Sequence, residues 1–216
     1  MRLYIVRHGE SRGNLAGVLQ GSRVDEPLSP RGLRQAEALS ARLSREPIDA
    51  VHTSPMIRAR ETAEIVNAPH GLPIAFDEDL VEFDWGVWCG RPLDDAMERQ
   101  VAEIRARWRA GDVDDAPAGG ESPAAAGRRA ARFLGRLGAT GATHALVVAH
   151  GRFNRILMAT LLSRPLSRMD EIRQRNGSLS SFEWNGSGAV TPLLLDDVGH
   201  IPPDLLSVSG GSDSLK

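Results

Sequence analysis

Two histidines stand in matching places along the chain. Leu3-Tyr4-Ile5-Val6 leads through Arg7 to His8 and Gly9, and the run 145–149 leads to His150 and Gly151. In open parallel sheets ligands bind beyond the carboxyl ends of the strands, so both histidines are expected on one rim. The glycine behind each, lacking a Cβ, lets backbone come close to a ligand. A lone histidine is more often structural than catalytic; the repeated context favours chemistry. Arginine is at hand as well. Arg7 adjoins His8, and Arg58 falls in the first turn of a helix expected to open at Ser54-Pro55. Free N–H groups and the helix dipole favour anions there, which suggests an oxyanion site. A surface pairing of Arg58 with Glu61 or Glu64 fits the same spacing. Glu82 lies among apolar and aromatic neighbours in 80–86. Burial and a nearby phosphate dianion favour the protonated carboxyl that a general acid needs. Asp84 is its rival, and spacing alone does not choose between them.

The elements that must position these groups can be read from pattern. Ser29-Pro30, Ser54-Pro55 and Ser122-Pro123 each look like a helix start, serine as N-cap and proline at the first helical position. Apolar residues follow at helical spacing in each case, and a fourth helix is expected through Met97, Val101, Ile104 and Trp108. Short apolar runs at 2–6, 48–52, 74–76, 145–149, 179–184 and 189–195 read as strands. Strands alternating with helices imply an α/β fold: an open, mostly parallel sheet with helices on both faces, in three layers. Residues 111–120 read as a loop. One domain is expected over 1–202, with 203–216 a flexible C-terminal tail.

Composition sets limits. The chain has 216 residues, 41% hydrophobic and 25% charged, which is ordinary globular usage. No stretch of about 18 apolar residues exists, so no membrane span is expected. A net charge of −2 argues against a nucleic-acid or anionic-membrane partner. Of 26 basic residues only Lys216 is lysine, so arginine position matters more than arginine count. The one cysteine, Cys89, excludes an intrachain disulfide and a Cys-based zinc site and fits a cytoplasmic chain.

Taken in order, these residues resemble the histidine phosphatase superfamily, which includes the phosphoglycerate mutases. Arg7-His8-Gly9-Glu10-Ser11, with Asn14 three further on, looks like its signature. LSPRGLRQAEAL (28–39), SPMIRARETA (54–63), LVEFDWGVWCG (80–90), Gly119-Gly120-Glu121-Ser122 and ALVVAHG (145–151) follow as in the family, over about residues 1–185. The resemblance implies a phosphoglycerate mutase-like fold. It implies that His8 is the nucleophile and becomes phosphohistidine, that Arg7, Arg58, His150 and Asn14 bind the phosphoryl group, and that Glu82 protonates the leaving oxygen. Arginines beside His8 help keep it neutral, and they hold the oxyanion in a preorganised cradle. No metal or other cofactor is implied. Gln20 and Gly21 fall where relatives place substrate-loop residues, and with Gly151 beside the second histidine they are candidates for binding the substrate.

The expected activity is hydrolysis of a small phosphorylated metabolite by the compact phosphatase branch. Cofactor-dependent mutases carry a long insertion before the second histidine, whereas here Glu82 and His150 are only 68 positions apart. The alternatives are a 2,3-bisphosphoglycerate-dependent phosphoglycerate mutase and a non-catalytic phospho-ligand-binding protein. Arg152 fits either a second anionic group of the substrate or a solvated helix start. Phe83, Trp85, Trp88 and Trp108 fit core or substrate mouth, Trp108 on a helix that could act as a lid. Cys89, His52 and His144 read as structural. Asp196, Asp197 and His200 read as a turn before a metal site. The oligomeric state is left open, a homodimer included.

Overall fold

A computed structural model describes residues 1–206. Its strands are β1 (Arg2–Arg7), β2 (Ala50–Thr53), β3 (Ile74–Phe76), β4 (His144–Ala149), β5 (Leu179–Trp184) and β6 (Val190–Asp197). Its helices are α1 (Arg12–Leu15), α2 (Pro30–Leu43), α3 (Ile57–Asn67), α4 (Asp95–Arg109), α5 (Pro123–Gly138) and α6 (Gly151–Leu161). The strands form one sheet in the order β3-β2-β4-β1-β5-β6. The pairings among β1, β2, β3 and β4 are parallel, and those of β5 with β1 and β6 are antiparallel. The sheet is therefore mixed. Only a short turn separates β5 from β6, and a connection that short can join only antiparallel neighbours.

Alternation along the strands builds the three layers. Leu3 and Ile5 of β1 enter a core with Ala130, Phe133 and Ile156 of α5 and α6, while Tyr4 and Val6 pack with Leu39, Ala59 and Val66 of α2 and α3. Ser29 and Ser122 cap their helices as expected, each hydroxyl accepting from a main-chain N–H three residues on. The middle Ser-Pro pair does not. Ser54 is still held in sheet register, its N–H donating to Val148 O, so α3 opens at Ile57. The Ile57 N–H is taken instead by Asp25 Oδ1 at 2.8 Å. Nearly all residues of α6 are buried, Arg152, Asn154 and Arg155 among them, so its polar side chains meet partners inside the protein rather than solvent.

Two further expectations change. Met97, Val101, Ile104 and Trp108 of α4 are buried in the core, and Trp108 Nε1 donates to Asp115 O, so α4 is anchored rather than free to lift. Pro203–Leu205 forms a 3-10 turn, with Leu205 buried on Val198 and Ile201 and its carbonyl accepting from Gln35 Nε2. The expected tail at 207–216 lies outside the described residues. Among the described residues no helix is long and apolar enough to cross a membrane.

Candidate active site

The parallel register of β1 and β4 sets Arg7 opposite Ala149. The next residue on each strand is a histidine, so both leave the sheet at one edge, as the sequence predicts. Their ring centroids lie 5.2 Å apart with planes at 62°. His8 Nδ1 lies 2.6 Å from Gly9 O. A carbonyl can only accept, so this bond puts the ring proton on Nδ1 and leaves the lone pair on Nε2. His8 lines an open cleft of about 320 Å³, counted out to its mouth, together with Arg7, Arg58, Asn14 and Glu82.

Two guanidinium groups charge this cleft. Arg7 Nη1 donates to Gln174 O, and the position of a Cβ on Gly151 would lie 3.0 Å from Arg7 Nε. Glycine at 151 thus gives the guanidinium room at the start of α6. Arg58 donates to Val24 O at 2.9 Å and Gly21 O at 3.0 Å, and Asp25 Oδ1 is 3.6 Å away. Burial pulls the Arg58 guanidinium down to about 10, with Glu82 and Asp25 opposing, and it stays charged at neutral pH. His150 is fully buried at the N-cap of α6. Burial, then Arg58, His8 and Arg7, hold it well below the ordinary imidazole range, so it is neutral at pH 7. Neither of its ring nitrogens has a hydrogen-bond partner among the described residues.

The two carboxylates part company here. Glu82 lines the cleft; its Oε1 accepts from Phe153 N at 2.9 Å and its Oε2 from Arg152 N at 3.3 Å. It therefore serves as an N-terminal partner for α6, satisfying two N–H groups that the His150 side chain does not reach. Asp84 is instead bidentate to Arg23, at 2.9 Å on both oxygens, and accepts from Gly86 N. Burial would raise the Asp84 carboxyl, but these bonds outweigh it and hold it below the usual range. Asp84 does not line the cleft.

The remaining sequence candidates divide. Gln20 and Gly21 line the cleft beside Val18, Leu19 and Trp85. Gly21 has φ +56 and packs on Cys89 Sγ, a place for glycine alone. Asn14 Oδ1 accepts from Ser11 N and from Asn176 Nδ2, which fixes how the amide is turned. The structure does not bring the Arg152 side chain into the cleft. It is fully buried, bonds Asp170, and stacks over Trp85 and Trp108. Phe83, Trp85 and Trp108 are core, with Trp85 alone of the three reaching the cleft. His52 packs edge-on to Phe133, and His200 meets Gly177 O. Asp196 and Asp197 end β6 rather than lying in a turn, Asp196 bonding Arg175 and Asp197 accepting from Gly199 N; the turn follows them, closed by Ile201 N donating to Val198 O. Sequence reasoning missed Asp25, Gln174, Asn176 and Asp170, each of which meets its partner across a long stretch of chain and carries no local signal.

A family model described as histidine phosphatase superfamily (branch 1) matches residues 3–197. An adenosylcobalamin/alpha-ribazole phosphatase of Salmonella typhimurium is 34% identical over 184 residues, covering 85% of this chain and 90% of that protein. A probable phosphoglycerate mutase GpmB of Yersinia pestis is 32% identical over 192 residues, covering 87% and 86%. The crystal structure of the alpha-ribazole phosphatase from Shigella flexneri superposes with TM-score 0.79 at 32% identity, covering 91% of this chain and 96% of that one. With a match that spans nearly the whole chain and a cleft built from the family's own blocks, the chain belongs to branch 1 of the histidine phosphatase superfamily.

Proposed function

We propose that the chain is a metal-independent phosphomonoesterase that hydrolyses a small phosphorylated metabolite through a phosphohistidine at His8. The observation that carries this reading is the Nδ1 bond of His8 to Gly9 O, which leaves the Nε2 lone pair for a cleft shared with Arg7, Arg58 and Glu82. Nε2 attacks phosphorus in line, forming the P–N bond as the P–O bond to the leaving group breaks. Glu82 gives its proton to the departing oxygen. Arg7, Arg58, the His150 N–H and Asn14 take the equatorial oxygens, where phosphoryl transfer most needs stabilisation. In the second half Glu82, now ionised, takes a proton from water. The water oxygen attacks phosphorus, the P–N bond breaks, and phosphate leaves.

The charge that a cation would supply comes here from two buried guanidinium groups. The leaving group meets Val18, Leu19, Gln20 and Trp85. Likeness to alpha-ribazole phosphatases makes alpha-ribazole phosphate the first substrate to test. A single cysteine fits a reducing compartment, and a cytoplasmic location belongs to this reading.

The test is phosphate release in EDTA, with His8→Ala in parallel. The panel is alpha-ribazole phosphate, an aryl phosphate, sugar phosphates, phosphoserine and 3-phosphoglycerate. Release by the wild type alone, undiminished by EDTA, is expected. Isomerisation of 3-phosphoglycerate without release would mean a mutase. Phosphate esters that bind but neither hydrolyse nor isomerise would mean a phospho-ligand-binding protein.

A further inference from the structure

We propose that Arg129 and Glu121 form a clamp that positions Glu82, a role that rests on Glu82 being the general acid. Glu82 lies between two 3-10 turns, Glu78–Leu80 and Gly86–Trp88, in a segment with no strand or helix of its own. Its neighbours' main-chain groups therefore need partners from elsewhere. Arg129 of α5 donates from Nη1 to Asp79 O at 2.6 Å and to Val81 O at 3.0 Å. Its Nη2 and Nε reach Glu121 Oε1 and Oε2 at 2.6 and 3.2 Å. Glu121 closes the circuit: its Oε1 accepts from Asp84 N at 3.0 Å, and its own N–H donates to Asp84 O at 2.9 Å.

One ion pair thus holds the chain on both sides of Glu82. The same guanidinium lies 4.5 Å over the Phe153 ring, and the Phe153 N–H, with that of Phe83, donates to Glu82 Oε1. Arg129 touches both structures that fix the carboxylate, the loop beneath it and the helix end before it. Neither Arg129 nor Glu121 lines the cleft, so neither touches substrate, and although the Arg129 charge also reaches His150, that effect falls alike on both leaving groups. Arg136 on the same helix grips only the side chains of Asp77 and Asp79 and makes a suitable control.

A displaced acid has a signature that general loosening lacks. Reactivity falls for a leaving group that needs a proton and holds for one that does not. The experiment compares kcat/KM for glycerol phosphate with that for p-nitrophenyl phosphate in the full-length protein. Glu82→Gln should lower the ratio of the two by about 100-fold or more. Arg129→Met should lower it by about 10-fold or more, within the roughly 100-fold that a 1 Å misplacement can cost. Arg129→Lys and Glu121→Gln should lie between Arg129→Met and wild type, and they decide the matter if Arg129→Met does not fold. Arg136→Ala should leave the ratio unchanged. A lowered ratio in Glu82→Gln with wild-type ratios in the Arg129 and Glu121 variants overturns the clamp alone. An unchanged ratio in Glu82→Gln overturns the acid assignment and the clamp with it.

Discussion

His8 and His150 sit ring to ring, 5.2 Å apart, yet their surroundings give them opposite characters. His8 has Nδ1 tied to its neighbour's carbonyl and presents a lone pair. His150 is buried, neutral and untethered among the described residues, so it can offer one N–H without adding a charge. In the proposed mechanism the pair divides into nucleophile and donor because only His8 has the tether that fixes a tautomer.

That division predicts unequal losses. His150→Ala should lower kcat/KM by about 100- to 1,000-fold, the usual cost of removing one oxyanion donor. His150→Gln, which keeps an N–H, should lose less. Trapping of labelled phosphoenzyme should still place the phosphoryl group on His8 in both variants. Label retained in His8→Ala and absent from His150→Ala would exchange the two roles.

Arg58 should not tolerate lysine. Its guanidinium holds Val24 O and Gly21 O while it charges the cleft, so in the proposed mechanism it positions the 21–24 segment and the phosphoryl group together. A lysine keeps the charge but lacks the planar fork. Arg58→Lys should raise KM and lower kcat, with kcat/KM down by about 100-fold, an amount comparable to a lost oxyanion contact. Steady-state kinetics on p-nitrophenyl phosphate reads this directly, and kcat/KM within a few-fold of wild type would remove Arg58 from the phosphoryl site.

Stability should fall on mild acidification. Burial holds His150, His52 and His200 below the ordinary imidazole range. The unfolded chain takes up protons at these positions near pH 6.5 while the folded chain does not. Their contribution is therefore complete above about pH 6.5 and is lost as pH drops below it, at up to about 1.4 kcal/mol per pH unit for each proton. Urea midpoints from pH 7.5 to 5 should decline, and His150→Gln should flatten that slope whatever it does to stability at pH 7.5. A slope identical to wild type would mean that His150 takes up its proton at the same pH in the folded and unfolded chains, so that burial does not depress it.

What was legible in the sequence was whatever local pattern encodes. The strand-histidine-glycine repeat foretold a shared rim, and Ser29 and Ser122 cap where serine before proline said they would. Arg152 misled because it follows His150-Gly151 so closely. Successive helix residues turn by about 100°, and that rotation carries its side chain off the cleft and into the core. Glu82 and Asp84 could not be told apart until Arg23, some sixty positions away, was seen holding Asp84. Asp25 caps α3 from a distant loop, a pairing that no local pattern announces.

The arginine surplus that Arg152 belongs to makes a last prediction. Asp170 faces Arg105, Arg109, Arg152 and Arg155, all within 3.6 Å of its oxygens. Burial alone would raise its carboxyl, but Arg152 and Arg105 outweigh that and hold it well below the usual range. Removing one side of a buried pair leaves uncompensated charge, at a cost of about 3–5 kcal/mol. Asp170→Asn should therefore lower Tm by about 10 °C, given about 2–4 °C per kcal/mol for a chain of this size. The contribution is present above the unfolded carboxyl value near 3.9 and is lost as pH falls below it. Wild type and variant should consequently begin to converge in stability only below that value, and the gap should close as pH falls on toward the lower folded value. A Tm unchanged at pH 7 would show that the guanidinium groups find other partners, and that Asp170 does not hold the start of α6 in place.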